Sequence, residues 1–221
     1  MLVARSRLAR DLRKLRLGPG GVTMVHCRMS ALGRVVGGSE TVVRALLDAL
    51  GPDGTLVAYT GWQDAPPDDL GDLDEETRRT YLEEHPPYDP RVALSRRDHG
   101  RVPEALRTWP GASHSGHPEA GVADVLGKRC VGYGMPILLE GKRLWRTFSD
   151  INTAEGALPY ERVLGEEDYI EHIARSALSA GAGRRGPVGE ATAHLFDARA
   201  LVEHAVGWIE RNFASEDLDG P

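Results

Sequence analysis

Residues 22–60 place two short apolar runs on either side of a glycine-bearing loop and a helical period, and that order leaves few folds open. Val22 to His26 reads as a short, mostly apolar strand. The loop CRMSALGRVVGGSE follows, and Thr41 to Leu50 then carries Val42, Val43, Leu46, Leu47 and Leu50 at helix spacing. Pro52-Asp53-Gly54 turns the chain into a second apolar strand, Thr55 to Thr60. A strand–loop–helix–strand unit usually joins two parallel strands by a right-handed crossover. An α/β domain is therefore expected.

The flanking sequence supplies more elements. Ser6 to Leu17 carries Leu8, Leu12 and Leu15 on one helical face, with Ser6 as its cap and Gly18-Pro19-Gly20-Gly21 as its stop. Gly61 to Asp98 is rich in Pro, Asp and Glu, so it reads as long loops with a short helix near Glu75 to Glu83, a lid or pocket wall. Gly100 to Thr108 reads as a helical turn. Arg129 to Leu139 and Lys142 to Ser149 read as a hairpin turning at Glu140-Gly141. Glu166 to Ala180 reads as a helix, GAGRRGPVG as the break after it, and Ala193 to Phe196 as a short strand. Asp197 caps a last helix, Ala198 to Phe213, with Leu201, Val202, Ala205, Val206 and Ile209 as its buried stripe. No repeat or linker divides the 221 residues, which read as one domain.

Composition narrows the function classes. With 41% hydrophobic and 27% charged residues and no apolar run near the ~20 needed for a bilayer, the chain reads as soluble. Its basic N-terminus lacks the apolar core of a signal peptide, so a cytoplasmic setting is expected. Cys27 and Cys130 are too few for a disulfide framework or a Cys-rich metal site. A formal charge of -6 argues against nucleic acid and for a cationic partner. Acids concentrate at Asp64, Asp68, Asp69, Asp72, Asp74, Glu75 and Glu76, which read either as a solvated loop or as a rim that attracts a polyamine.

Three segments carry residues suited to chemistry. In the first loop, Gly33, Gly37 and Gly38 allow tight turns before a helix whose free N–H groups suit a phosphate or a thioester oxygen. The spacing is neither a dinucleotide fingerprint nor a P-loop, and an ordinary strand-to-helix turn reads the same way. Ser113-His114-Ser115-Gly116-His117-Pro118 offers a general base or phosphate contacts, or a merely solvated loop. Asp150, at the end of the expected hairpin, suits an ammonium group or a turn. None of these segments has the ligand pattern of a metal site.

Taken together, the segments VTMVHCRMSALGRVVGGSETVVRALLDALGPDGTLVAYTGWQDAPP, YDP at Tyr88 to Pro90, GRVPEALRTWPGASHSGHPEA, the DINT of the hairpin, and GAGRRGPVGEATAHLFDARALVEHAVGWIERNF resemble the aminoglycoside 3-N-acetyltransferases. The resemblance covers nearly the whole chain in family order. It implies a three-layer α/β domain with a mixed β-sheet flanked by helices, plus a β-hairpin. It implies transfer of acetyl from acetyl-CoA, with no metal, to the 3-amino group of a 2-deoxystreptamine ring, a reaction that confers antibiotic resistance. By position, His26, Ser30, Ala31, Gly33, Gly37 and Gly38 lie along the cofactor, with Ser115 on the same side. Trp62, Asp64, Tyr88, Asp89 and Asp150 face the cationic sugar, and His117 and Asp150 are the candidates for catalysis. The expected partners are a cationic small molecule, no nucleic acid and no membrane.

The departures from the family pattern bear on mechanism. Cys27 stands where the family has serine or threonine, and His114 where it usually has arginine. HPEAGVAD runs almost straight into VLGKRC, so a family segment of several tens of residues is absent between Ala120 and Val125. The family's proposed general base lies in that segment. His117 is the substitute expected here, and completion of the sheet by a second copy, as a homodimer, is one way to accommodate the gap. The rival readings are a homologue that binds CoA or aminoglycoside without turnover, and an acyltransferase acting on another amine.

Overall fold

The computed structural model describes residues 1–65, 73–114, 122–125 and 169–212. The expected crossover is present. Strand β2 (Val22–Met24) pairs in parallel with β4 (Thr55–Tyr59), and helix α2 (Gly38–Leu50) joins them. Strand β4 reads TLVAY because it is buried on both faces: Leu56, Val57 and Ala58 are all at or below 2% exposed. Its other edge is taken by β6 (Val122–Val125), antiparallel, and β6 in turn pairs with β5 (Ser113–His114). The order β2-β4-β6-β5 makes a mixed sheet, as expected of this α/β fold.

Helix α1 (Arg5–Lys14) lays Leu8 and Ala9 against Ala45, Leu46, Ala49 and Leu50 of α2. Burying a leucine this fully contributes about 1.5–3 kcal/mol. Across the same interface Arg5 grips Asp48 with two hydrogen bonds, of 2.6 and 2.5 Å. Ser6 does not cap α1. The cap position is Ala4, which offers no side-chain acceptor, and Ser6 lies inside the first turn. Helix α3 (Glu75–Glu84) starts at Asp74, whose carboxylate accepts from the backbone N–H of Thr77 at 3.0 Å. Part of the acidic run is thus a helix cap. The short helix α4 (Arg101–Arg107) packs Val102 and Leu106 under the sheet.

The C-terminal half holds helix α5 (Tyr169–Ser179), strands β7 (Gly183–Val188) and β8 (Ala191–Phe196), and helix α6 (Ala198–Asn212). GAGRRGPVG does end a helix, but it continues as a strand rather than a loop, and the shorter strand expected at Ala193 to Phe196 is half of that hairpin. Asp197 caps α6, accepting from the N–H of Ala200 at 2.9 Å. The expected stripe on α6 is rotated: Val202 and Val206 are 40% and 50% exposed. The helix faces α5 through the side that bears His204, whose Nε2 lies 2.9 Å from Ser176 Oγ. The hairpin expected at 129–149 lies outside the described residues.

The two-residue turn of the β7–β8 hairpin, Gly189-Glu190, is clamped to the N-terminal half. Asp11, 8% exposed on α1, accepts from the N–H of Gly189 at 3.2 Å, and Arg7 donates to the Gly189 carbonyl at 2.7 Å. The N–H of Glu190 donates to Leu32 O at 3.1 Å. Gly189 has φ of +63°, and a Cβ there meets Leu32 O at 2.7 Å, so only glycine fits. Gly189→Ala should lower unfolding free energy by about 1–3 kcal/mol in urea titration, from αL strain and the clash. Asp11→Ala should cost about the same, because it strands a buried N–H.

Candidate active site

The loop between β2 and α2 is held on three sides. A 3-10 turn, Met29–Leu32, presents Leu32 O to the hairpin turn. Strand β3 (Arg34–Val35) pairs in parallel with β1 (Leu2–Val3), and the N–H of Val36 donates to Val3 O at 3.0 Å. At Gly33, φ is +86° and a Cβ meets the Glu190 carboxylate at 2.5 Å, so the hairpin turn closes directly over this glycine. Gly37 stands at the N-cap of α2 with φ of +80° and no side-chain cap, while nothing lies within 4 Å of the Cβ position at Gly38. The helix starts three residues earlier than its apolar period, and its first N–H groups face open space. Ser30, Ala31 and Gly37 are exposed along the same loop.

Beyond β4 the chain leaves the sheet and returns. The carbonyl oxygen of Thr60 accepts from the N–H of Arg96 at 2.9 Å, Ser95 Oγ at 2.9 Å and His99 Nδ1 at 3.0 Å. Gln63 accepts from the N–H of Arg97 at 2.8 Å and donates its own N–H to Leu94 O at 2.9 Å. The wall segment expected at 61–98 is therefore a loop whose two ends are tied together at the end of β4.

On that wall Trp62, 8% exposed, meets the rings of His85 and Tyr88 edge-on at 5.2 and 5.3 Å. His85 reaches Asp64 O with Nε2 and Pro86 O with Nδ1, each at 2.9 Å. The Asp64 carboxylate is exposed. Trp62, Asp64 and Tyr88 thus come together as expected, through a histidine that the sequence did not single out. Asp89 is different: its carboxylate is taken by the Arg91 side chain and N–H, which hold it down at about 2. Ser115, His117 and Asp150 lie outside the described residues.

The cofactor loop and the wall face one cavity of about 530 Å³. Ser39, next after the paired glycines, lies on one side and Gln63 on the other, with Arg97, Gly100, Arg101 and Glu104 between them. The Glu104 carboxylate is held by Arg107, at 2.7 and 2.8 Å. Arg97 and Arg101 are exposed and form no ion pair among the described residues, a pair of cations that sequence reading passed over because arginine on a loop is common.

At the carboxyl ends of β2 and β4 the register places His26 two residues beyond the Met24–Val57 pair, opposite Tyr59. The His26 ring reaches solvent but is crowded on one side. That partial desolvation, then the charge of His99, hold its imidazole below its ordinary value. Burial pushes the neighbouring Cys27 thiol up to about 11, so it stays protonated near neutrality and is no nucleophile.

Comparison with known proteins agrees with this geometry. The sequence profile of the aminoglycoside 3-N-acetyltransferases matches residues 24–130 and 122–210. Aminoglycoside N(3)-acetyltransferase VII of Streptomyces paromomycinus is 38% identical, covering 97% of this chain and 94% of its own. That alignment runs over 270 positions against the 221 residues here, so at least 49 positions have no counterpart in this chain. The crystal structure of aminoglycoside acetyltransferase AAC(3)-Xa superposes with a TM-score of 0.78 at 32% identity, covering 95% of this chain and 93% of that one. The AAC-IIIb binary complex with CoASH gives 0.72 at 26% identity, with all of both chains covered. This chain belongs to the aminoglycoside 3-N-acetyltransferase family.

Proposed function

We propose that this protein transfers acetyl from acetyl-CoA to the 3-amino group of a 2-deoxystreptamine aminoglycoside, and so confers resistance. One observation carries the reading: a single cavity runs from Ser39, behind the uncapped start of α2, to Gln63, between Trp62 and Asp64. A bisubstrate transfer needs that adjacency, because the amine must meet the thioester carbon at bonding distance. The relative solved with CoASH supports acetyl-CoA as the co-substrate, and the name of the Streptomyces relative supports the aminoglycoside.

The residues divide the work. Free N–H groups at Gly38 and Ser39 suit the oxyanion that forms as the amine attacks the thioester, and such preorganised donors are often the largest catalytic contribution. Arg97 and Arg101 suit the phosphates of CoA. The exposed Asp64 carboxylate draws the polycation, and the edges of Trp62 and Tyr88 give its sugar rings an apolar wall. Ser115 on the cofactor side, and His117 and Asp150 near the amine, keep the roles that the family pattern gives them. Asp89 contributes less than the pattern implies while Arg91 holds it.

The chain is read as one domain over 1–221 that lacks the family segment near 120–125. The unmatched positions in the alignment support this, as do the two profile matches, which meet on residues 122–130. Strand β6, at that junction, occupies the place beside β4, so the interior strand keeps a hydrogen-bonding partner on each side. A cytoplasmic setting suits an enzyme that draws on acetyl-CoA.

The test is release of free CoA thiol from acetyl-CoA with a panel of aminoglycosides. Binding of both ligands with no thiol released rejects the enzyme reading in favour of a non-catalytic binder. Arg97→Ala with Arg101→Ala should raise KM for acetyl-CoA about tenfold or more while kcat holds, the loss of two charge-assisted contacts of about 1.5–3 kcal/mol each setting the upper bound. Trp62→Ala should raise KM for the aminoglycoside instead. Acid should also weaken the unliganded fold. Native His26 resists a proton that the unfolded chain accepts near 6.5, so stability is lost as pH falls through and below that value. His26→Gln should flatten the slope between pH 7.5 and 5.5 in urea titrations.

A further inference from the structure

We infer that His99 is the base of this transfer, an assignment that rests on the acetyltransferase reading and adds a residue to it. His99 ends a 3-10 turn, Arg97–His99, immediately before α4. Its Nδ1 lies 3.0 Å from the Thr60 carbonyl, which only accepts, so the proton of the neutral ring sits on Nδ1 and the lone pair on Nε2. Among the described residues nothing hydrogen-bonds to Nε2. The Asp98 carboxylate lies 3.8 Å from it, too far for a hydrogen bond but near enough to stabilise an imidazolium.

The ring is held in that orientation. Tyr59 packs on it with ring centroids 4.5 Å apart, and a Cβ at Gly61 would meet its Cε1 at 3.0 Å. The side chain is 22% exposed, which leaves it reachable but confined. His26 from the end of β2, Tyr59 from β4, and Asp98 and Arg96 from its own turn are the titratable and charged groups around it. Gly100, the next residue, lines the cavity shared by Ser39 and Gln63, and its Cβ position is 3.2 Å from Cys27 O, so the turn abuts the cofactor loop. The place is the crevice beyond the carboxyl ends of two parallel strands, where open α/β sheets bind ligands.

The step balances as follows. The bound ammonium loses one proton to solvent, and the neutral amine attacks the thioester carbon. As the C–N bond forms, the second proton passes from nitrogen to His99 Nε2. The carbonyl re-forms, the C–S bond breaks, and the imidazolium returns its proton to the departing sulfur. The products are the acetamide and CoASH.

His99→Asn is the diagnostic variant, because an amide N–H can still donate to the Thr60 carbonyl while the base is gone. The expected result is a fall in kcat of about 10²–10³-fold with both KM values within threefold, and loss of the acid limb from the pH profile of kcat/KM. Added imidazole should restore part of the rate of His99→Ala. A kcat for His99→Asn within threefold of wild type, or a loss produced by His117→Asn and not by His99→Asn, overturns the assignment. Should neither His99 variant fold, diethyl pyrocarbonate on the wild type decides: rate loss tracking carbethoxylation of His99, with protection by both substrates, supports it, and modified His99 with full activity overturns it. Wild type that binds both ligands and releases no CoA defeats the acetyltransferase reading itself. Wild-type turnover beside an unaffected His99→Asn defeats only the role of His99.

Discussion

Where strand β4 stops decides where everything else in the site stands. Its core residues are sealed on both faces and its two edges are paired, so it is the least mobile reference in the structure. The first carbonyl beyond it, Thr60, collects three donors from one returning segment. An oxygen with three donors fixes the direction of the chain that supplies them, and here that chain carries Ser95, Arg96 and His99. Through Gln63 the same knot sets the start of the aromatic wall. A substrate cavity between a helix start and a long loop would otherwise vary in width with every loop fluctuation; tying both loop ends to a buried strand removes that freedom.

Much of this was legible in the sequence. The apolar periods of α1 and α2, the TLVAY strand and the Asp197 cap each follow from a local rule, and the parallel pairing of β2 with β4 follows from their order. The glycines at 37 and 38 announced a turn, and the turn is there. The hairpin at 183–196 was missed because three glycines and a proline dilute its strand character. The signal that was present, a two-residue Gly-Glu turn between Val188 and Ala191, is a hairpin motif rather than a break.

The histidines were illegible for a different reason. His85 and His99 both find their partners among backbone carbonyls, and a carbonyl has no letter in the sequence. Residue-type patterns find side chains that meet side chains. They do not find a ring oriented by Thr60 O or Asp64 O, nor foresee that Asp89 is occupied by an arginine two places along. On α6 the failure was one of phase: Leu201, Val202, Ala205 and Val206 are all apolar, and only the helix opposite selects which of them are covered.

The turn at Gly189-Glu190 has a consequence for synthesis. The cofactor loop leaves the ribosome early, yet its Leu32 carbonyl and the buried Asp11 both wait for backbone N–H groups encoded more than 150 residues later. Until those arrive, the nascent N-terminal half carries a carboxylate in an apolar interface with its N–H partner still untranslated. Maturation of this site is therefore a late event in translation, and a message cut short before codon 189 yields a chain that has its cofactor loop but not the hairpin turn that holds it.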